Sequence, residues 1–247
     1  MVVRALDLME PEETVGNLWH DYAVGIGAQT CYPLEVASLA SVRPSLAMMF
    51  RALGGATGVE FSEAPCVVAR HRRPPLRNLA TERDKAFLPA FDGEKLRLPP
   101  YIDAFPDRAL NRSAYFWLTA VAALCPADVF EGPAQVGPAR DIAMIRANAI
   151  AAAHVHAQCP GLRESHAAMV AYILGARPDF RRPASESVVE QALRNHLATG
   201  AVPEMPEQAS SSSYLSFAPV TIWLDLNVAK KVSSPQGVHE APAAVPP

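Results

Sequence analysis

Four side chains with metal-binding chemistry, His154, His156, Cys159 and His166, stand close together in the chain. Imidazole and thiolate are ordinary ligands of zinc, and a site built from them would make the chain a metal-dependent enzyme. The spacing argues otherwise. Two residues apart on a helix, His154 and His156 point in different directions and cannot chelate one ion without local unwinding. Zinc ligands also come in recognisable pairs, as in HExxH or a repeated CxxC, and neither occurs here. These residues therefore read as an alanine-rich helix end that carries imidazoles, with the metal-dependent enzyme as the alternative and no cofactor expected. The carboxylate pairs Glu12/Glu13 and Glu186/Glu190 fall at helix starts, where dipole and capping roles account for them without acid–base chemistry. GxSxG, the Walker loop and GxGxxG are all missing, so catalysis by this chain alone is not expected.

The element best suited to organise the rest is Phe105–Leu124. Asp107 follows a proline and can cap the first turn, after which Leu110, Tyr115, Leu118, Val121 and Ala122 recur at helical spacing. From Ala114 to Leu124 there is almost no polar group, which predicts a core helix surrounded by protein. It is too short to span a bilayer, which takes about 20 apolar residues. Cys125-Pro126 ends it, because the residue before a proline is pushed out of the helical region. Arg108, Asn111 and Arg112 fall together on the other side of its first two turns, either as a partner-binding patch or as buried salt bridges and caps.

Half of the 247 residues are apolar, enough for a sizeable core. A formal charge of −3 gives no general electrostatic drive toward nucleic acid or an anionic membrane. Cys31, Cys66, Cys125 and Cys159 are scattered, with no CxxC pair and no charged, apolar leader before them, which predicts reduced thiols in a cytoplasmic protein. The 23 prolines imply many short elements with firm stops.

The fold expected is mainly α with a small antiparallel β-sheet or hairpin, an α+β arrangement. A helical domain covers 1–202, with a β insertion around 58–98. Glu10–Glu13 opens a helix with the stripe Val15, Leu18, Trp19, Tyr22 and Ile26. A second helix runs from about Pro44 to a stop at Gly54-Gly55. Phe87–Phe91 and Glu94–Leu98 flank Asp92-Gly93, a hairpin signal, and Pro89 places its strand at an edge. The basic stretch Arg70–Lys85 lacks interleaved aromatics and reads as a solvated loop or docking patch rather than a nucleic-acid site. Helices follow at Asp141–His156, at Leu162–Leu174 with a stop at Gly175, and after a capping box Ser187-Val-Val-Glu190. A polar linker at 203–213 precedes a docking strand at 214–228, and 229–247 is expected to be a disordered tail.

Several blocks carry a resemblance. EPEETVGNLWH (Glu10–His20), RPSLAMMFRALGG followed by GVE (Arg43–Glu60), RHR (Arg70–Arg72), FDGEKLRLPPYIDAFPDRALNRSAYFWL (Phe91–Leu118) and FAPVTIWLDL (Phe217–Leu226) together resemble the amino-terminal region of the NorD family. That family serves bacterial nitric oxide reductase and denitrification, and is similar in plan to CbbO, a subunit of one type of Rubisco activase.

The resemblance implies a non-enzymatic, chaperone-like adaptor. Its partner would be a MoxR-type AAA+ ATPase (NorQ/CbbQ-like), and its target nitric oxide reductase, through delivery of non-haem iron, or alternatively Rubisco. No nucleic acid and no membrane insertion are implied. Arg108, Asn111 and Arg112, then Glu12 and Glu13, are the residues singled out for docking the ATPase. Such proteins continue into a von Willebrand factor A domain whose DxSxS loop binds a divalent ion. No DxSxS occurs here, and the nearest serine run, Ser210–Ser213, follows Ala209. The chain is accordingly read as a fragment, a truncated product or a split form. A free-standing regulator competing with a full-length relative is a further alternative.

Overall fold

A computed structural model describes residues 31–74, 84–126, 129, 136–205 and 213–226. The helix read from Glu10, with Glu12 and Glu13, lies outside the described residues, as do most of the basic loop, Ser210–Ser212 and the tail from 227. In chain order the elements are β1 (Ala37–Ser38), α1 (Leu39–Ala52), β2 (Glu60–Glu63), β3 (Cys66–Val68), β4 (Lys85–Phe87), β5 (Ala90–Phe91), β6 (Lys95–Leu98) and β7 (Tyr101–Ile102). They are followed by α2 (Arg108–Leu124), α3 (Pro138–Gln158), a short 3-10 turn (Pro160–Leu162), α4 (Arg163–Ala176) and α5 (Ala184–Thr199). This is the α+β architecture expected from the sequence.

α2 is the hub, packing against α1, α3 and α4, while α5 packs on α3 and α4. The Asp107 carboxylate accepts the Ala109 N–H at 2.7 Å and so satisfies one of the first turn's free donors. Cys125, extended before Pro126, ends the helix. Ala114, Tyr115, Trp117, Leu118, Ala120, Val121 and Ala122 are all buried. Full burial of each larger apolar side chain among them is worth about 1.5–3 kcal/mol, which is why this stretch sits at the centre.

α1 begins at Leu39, earlier than the proline suggested. The short β1–β7 pair leads the chain in, the Leu39 N–H reaches the Pro100 carbonyl at 2.9 Å, and Pro44 sits on the exposed side of the helix interior. Burial of Leu39 and Val42 favours those extra turns despite the donor that Pro44 removes. The stop is as read: Gly54 has φ +92, and the Gly54 and Gly55 N–H groups bond the Arg51 and Phe50 carbonyls, a Schellman closure.

The β region forms three small sheets. β5 and β6 make the hairpin, with Phe91 opposite Leu96, and the Asp92 carboxylate accepts the Glu94 and Lys95 N–H groups within the turn. β2 joins β6 in parallel, a pairing the alternation of Val59 and Phe61 could not reveal. Phe87–Phe91 is not one strand. Leu88-Pro89 interrupts it, so Lys85–Phe87 pairs with β3 instead, and the short β5 becomes the edge of the sheet β2-β6-β5.

Two helix readings need correction. α4 runs through Gly175 to Ala176 and stops at Arg177, which precedes Pro178. α5 starts at Ala184, so Ser187-Val-Val-Glu190 is not a capping box. The Ser187 hydroxyl donates to the Arg182 carbonyl and Glu190 binds guanidinium groups. The segment read as a docking strand lies against the domain but forms no ladder. A turn at Thr221-Ile222 divides it, and among the described residues it makes only single bridges, Ser216 with His71 and Asp225 with Ala90.

Candidate functional site

The first turns of α2 separate the three residues singled out there. Arg108 and Arg112 are exposed, the latter with its guanidinium 5.7 Å from the Phe116 ring centre. Asn111 is fully buried. Its carbonyl oxygen accepts the Phe105 N–H, and its amide donates to the Glu35 and Phe105 carbonyls at 2.9 and 2.8 Å. Every group of Asn111 is thus spent on the fold, and only the two arginines are presented outward. A short polar side chain on the helix's polar arc looks the same in sequence whether it faces water or a buried loop.

The imidazoles of the proposed metal cluster do not converge. His154 is exposed and its Nδ1 lies 3.3 Å from the Leu124 carbonyl. His156 turns the other way and meets His166 across the turn, Nε2 to Nδ1 at 3.0 Å. His166 stacks on Trp117, with ring centres 3.6 Å apart and planes 15° from parallel. Cys159 caps the end of α3, its N–H bonded to the Val155 carbonyl, and burial pushes its thiol pKa up. Among the described residues no three His, Cys, Asp or Glu side chains gather to hold an ion. Burial first, then the neighbouring His156, pushes His166 down to about 3, and burial also lowers His156. Both rings are therefore neutral near pH 7 and act as a packed pair, one donating and one accepting.

Among the described residues the densest ionic chemistry lies where α4 turns into α5, around the Glu186 and Glu190 carboxylates and arginines that the sequence left unremarked. Glu190 accepts a two-pronged contact from Arg177 at 2.8 and 3.0 Å, and a third bond from Arg194 at 2.9 Å. Arg182 stands 3.9 Å from the same carboxylate. Despite burial, these guanidinium groups hold the Glu190 carboxyl below its ordinary value. One turn earlier, Glu186 grips Arg72 through both oxygens at 2.6 and 2.8 Å and accepts the Leu215 N–H. The Glu186/Glu190 spacing put both carboxylates on one helical face. Arg194 lies one turn further along the same helix, but Arg72 and Arg177 come from outside it and could not be named from the sequence.

Arg72, Arg177, Arg182, Glu186 and Glu190 border a cleft of about 350 Å³ between β3–β4, the α4–α5 turn and residues 214–221. The last segment is pinned at both ends. Tyr214 donates its hydroxyl to Asp141 at 2.7 Å, and Trp117 Nε1 donates to the Ile222 carbonyl at 3.1 Å. Burial raises the Asp141 carboxyl pKa in spite of the hydroxyl donors from Tyr214 and Ser216. Chemically the cleft offers guanidinium donors, carboxylates and aromatic walls, the equipment of a binding site.

No protein-family model matches the chain, and no solved structure does either. Among curated proteins it is similar to the Protein NorD of Brucella suis, 32% identical over 246 residues, covering 95% of this chain and 38% of that relative. The Protein NorD of Stutzerimonas stutzeri is 30% identical over 233 residues, 94% of this chain and 35% of the relative. An uncharacterized protein of Pseudomonas aeruginosa is 34% identical over 218 residues, 87% of this chain and 32% of the relative. The chain therefore spans less than two-fifths of the length of the curated relatives it matches. Among the described residues no helix is long and apolar enough to cross a membrane. Along nearly all of its length, this chain is a NorD-like sequence, homologous to part of the proteins that bear that name.

Proposed function

We propose that the chain is the adaptor portion of a NorD-like accessory protein, working with a MoxR-type AAA+ ATPase to activate nitric oxide reductase and help deliver its iron. The observation that carries this reading is the homology to proteins named NorD over 95% of the chain. Two features of the fold support an adaptor role. The hub helix α2 is rigidly held by packing on α1, α3 and α4, and its first turns present Arg108 and Arg112 to solvent. Exposed guanidinium groups on a fixed helix end suit recognition of carboxylates on a partner.

The direct test is a pull-down of this chain against the MoxR-type ATPase of the same cell, with and without ATP, followed by ATPase rates. Saturable, nucleotide-sensitive binding is the expected result. No binding in either condition would remove the adaptor role from this region.

A further inference from the structure

On the Glu190 side of the α4–α5 cleft, guanidinium groups outnumber carboxylates. Arg72 and Glu186 neutralise one another at 2.6 Å, and His71 and Asp84 lie 3.2 Å apart. The remaining cluster sets three guanidinium groups, Arg177, Arg182 and Arg194, around the single carboxylate of Glu190. Lys85 and Asp179, one of each sign, are exposed and largely screened by solvent. Glu190 and Arg177 side chains are only 8% and 7% accessible, and Arg182 only 12%. Surplus positive charge held this close and this dry is costly, because screening by water is weak there.

Arg182 is the group left with capacity. Its Nη1 and Nη2 donate to the Phe180 and Pro178 carbonyls at 3.3 and 3.1 Å, and its guanidinium lies 3.9 Å from the Phe180 ring centre. These contacts fix the fork in place. At 3.9 Å from Glu190 it makes no hydrogen bond there, since Arg177 and Arg194 already occupy that carboxylate. Burial, reinforced by Arg177 and Arg194, lowers the Arg182 pKa even with Glu190 nearby, as expected of a cation short of counter-charge. Beside it the cleft is walled by Phe105, Tyr172, Val189 and Phe217. A preorganised guanidinium next to apolar walls recognises a molecule with an anionic head and an apolar body.

We propose that this cleft is a binding site for a small organic oxyanion, an apolar or aromatic body bearing one carboxylate or phosphate, with Arg182 as the anchor of the charged group. A volume of about 350 Å³ suits a small molecule. The proposal does not depend on the adaptor role.

The test is calorimetric titration of the full chain with benzoate, phenyl phosphate, inorganic phosphate and neutral benzamide. Benzoate or phenyl phosphate is expected to bind with a Kd between about 10 µM and 1 mM, and at least tenfold more tightly than inorganic phosphate or benzamide. Which of the two aryl anions binds more tightly tells carboxylate from phosphate. Arg182→Gln is expected to weaken that binding about tenfold or more, and Arg182→Lys less. Because Arg182 also braces the α4–α5 turn, a second readout uses the unaltered protein: nitrogen-15 NMR of the arginine Nε–H groups during the same titration. Saturable shifts of the Arg182 resonance are expected. Absence of binding by either aryl anion, equal binding of benzamide or of inorganic phosphate, or an unmoved Arg182 signal would each overturn the proposal.

Discussion

Asn148, midway along α3, brackets the backbone of Leu224, 76 residues further along the chain. Its amide nitrogen donates to the Leu224 carbonyl and its amide oxygen accepts the Leu224 N–H, both at 3.0 Å. Both residues are buried. A single side chain thus does for the C-terminal segment what a neighbouring strand would do, by satisfying both backbone groups of one residue.

Asn148→Ala is therefore expected to lower stability by about 2–4 kcal/mol, since it leaves a buried donor and a buried acceptor unpaired. Urea unfolding checks the magnitude. Hydrogen exchange checks the cause: the Leu224 amide should lose more protection than amides of α1. Uniform loss across the chain would mean that Asn148 supports the core in general and not this join.

Gly55 lies against the Phe50 ring so closely that an added Cβ would run into it. Phe50 cannot retreat freely, because it is 2% exposed and packs edge-on to Phe61 and Phe91. Gly55→Ala is expected to cost about 1–3 kcal/mol through overpacking. Adding Phe50→Leu should recover part of that loss, so the pair should be non-additive in a double-mutant cycle. Gly54→Ala should cost about 1–2 kcal/mol with no such rescue, because its penalty is the left-handed φ of +92 and the space around it is open. Additivity of Gly55→Ala with Phe50→Leu would refute the steric account.

The packed imidazoles predict acid sensitivity. His166 is pushed down to about 3, and His156 and His196 are lowered too, burial being the first cause in each case. In the unfolded chain such groups take up protons near pH 6.5. Below that pH the unfolded state binds more protons than the native state, so stability falls as pH falls, by up to ~1.4 kcal/mol per pH unit for the well-buried His166 and by less for the more exposed His156. Asp141 works in the opposite sense: its raised carboxyl pKa lets the folded chain take up a proton first, offsetting part of the loss at lower pH. Urea midpoints at about pH 7, 6 and 5 should decline in the unaltered protein and decline less in His166→Phe, which keeps a ring against Trp117. Equal slopes in the two proteins would place the acid sensitivity elsewhere.

Arg108→Ala and Arg112→Ala are expected to change stability by about 0.5 kcal/mol or less, because both side chains are exposed. Asn111→Ala should cost about 2–4 kcal/mol, since three hydrogen bonds, two of them buried, converge on its side chain. Thermal melts followed by circular dichroism separate the two classes. In the pull-down the double arginine variant should bind the ATPase more weakly while its melt is unchanged. Loss of helical signal in that variant would assign the arginines to the fold instead.

What the sequence determined by itself was local. Asp107 and Cys125-Pro126 set the ends of α2, Gly54-Gly55 stopped α1, and Asp92-Gly93 turned the hairpin, because caps, prolines and left-handed glycines act within a few residues. The almost wholly apolar run from Ala114 to Leu124 marked the hub for the same reason, as burial on all sides needs no knowledge of the partner. Tertiary structure alone decided what depends on residues brought from far apart. Asn111 faces a loop and not water, and Glu186 and Glu190 bind guanidinium groups instead of capping a helix. His156 pairs with His166 against Trp117, leaving His154 outside, and Leu224 is clasped by Asn148. Periodicity states which face of an element is apolar. Whether a polar side chain on the other face meets solvent, a backbone or an opposite charge is settled only when the elements pack.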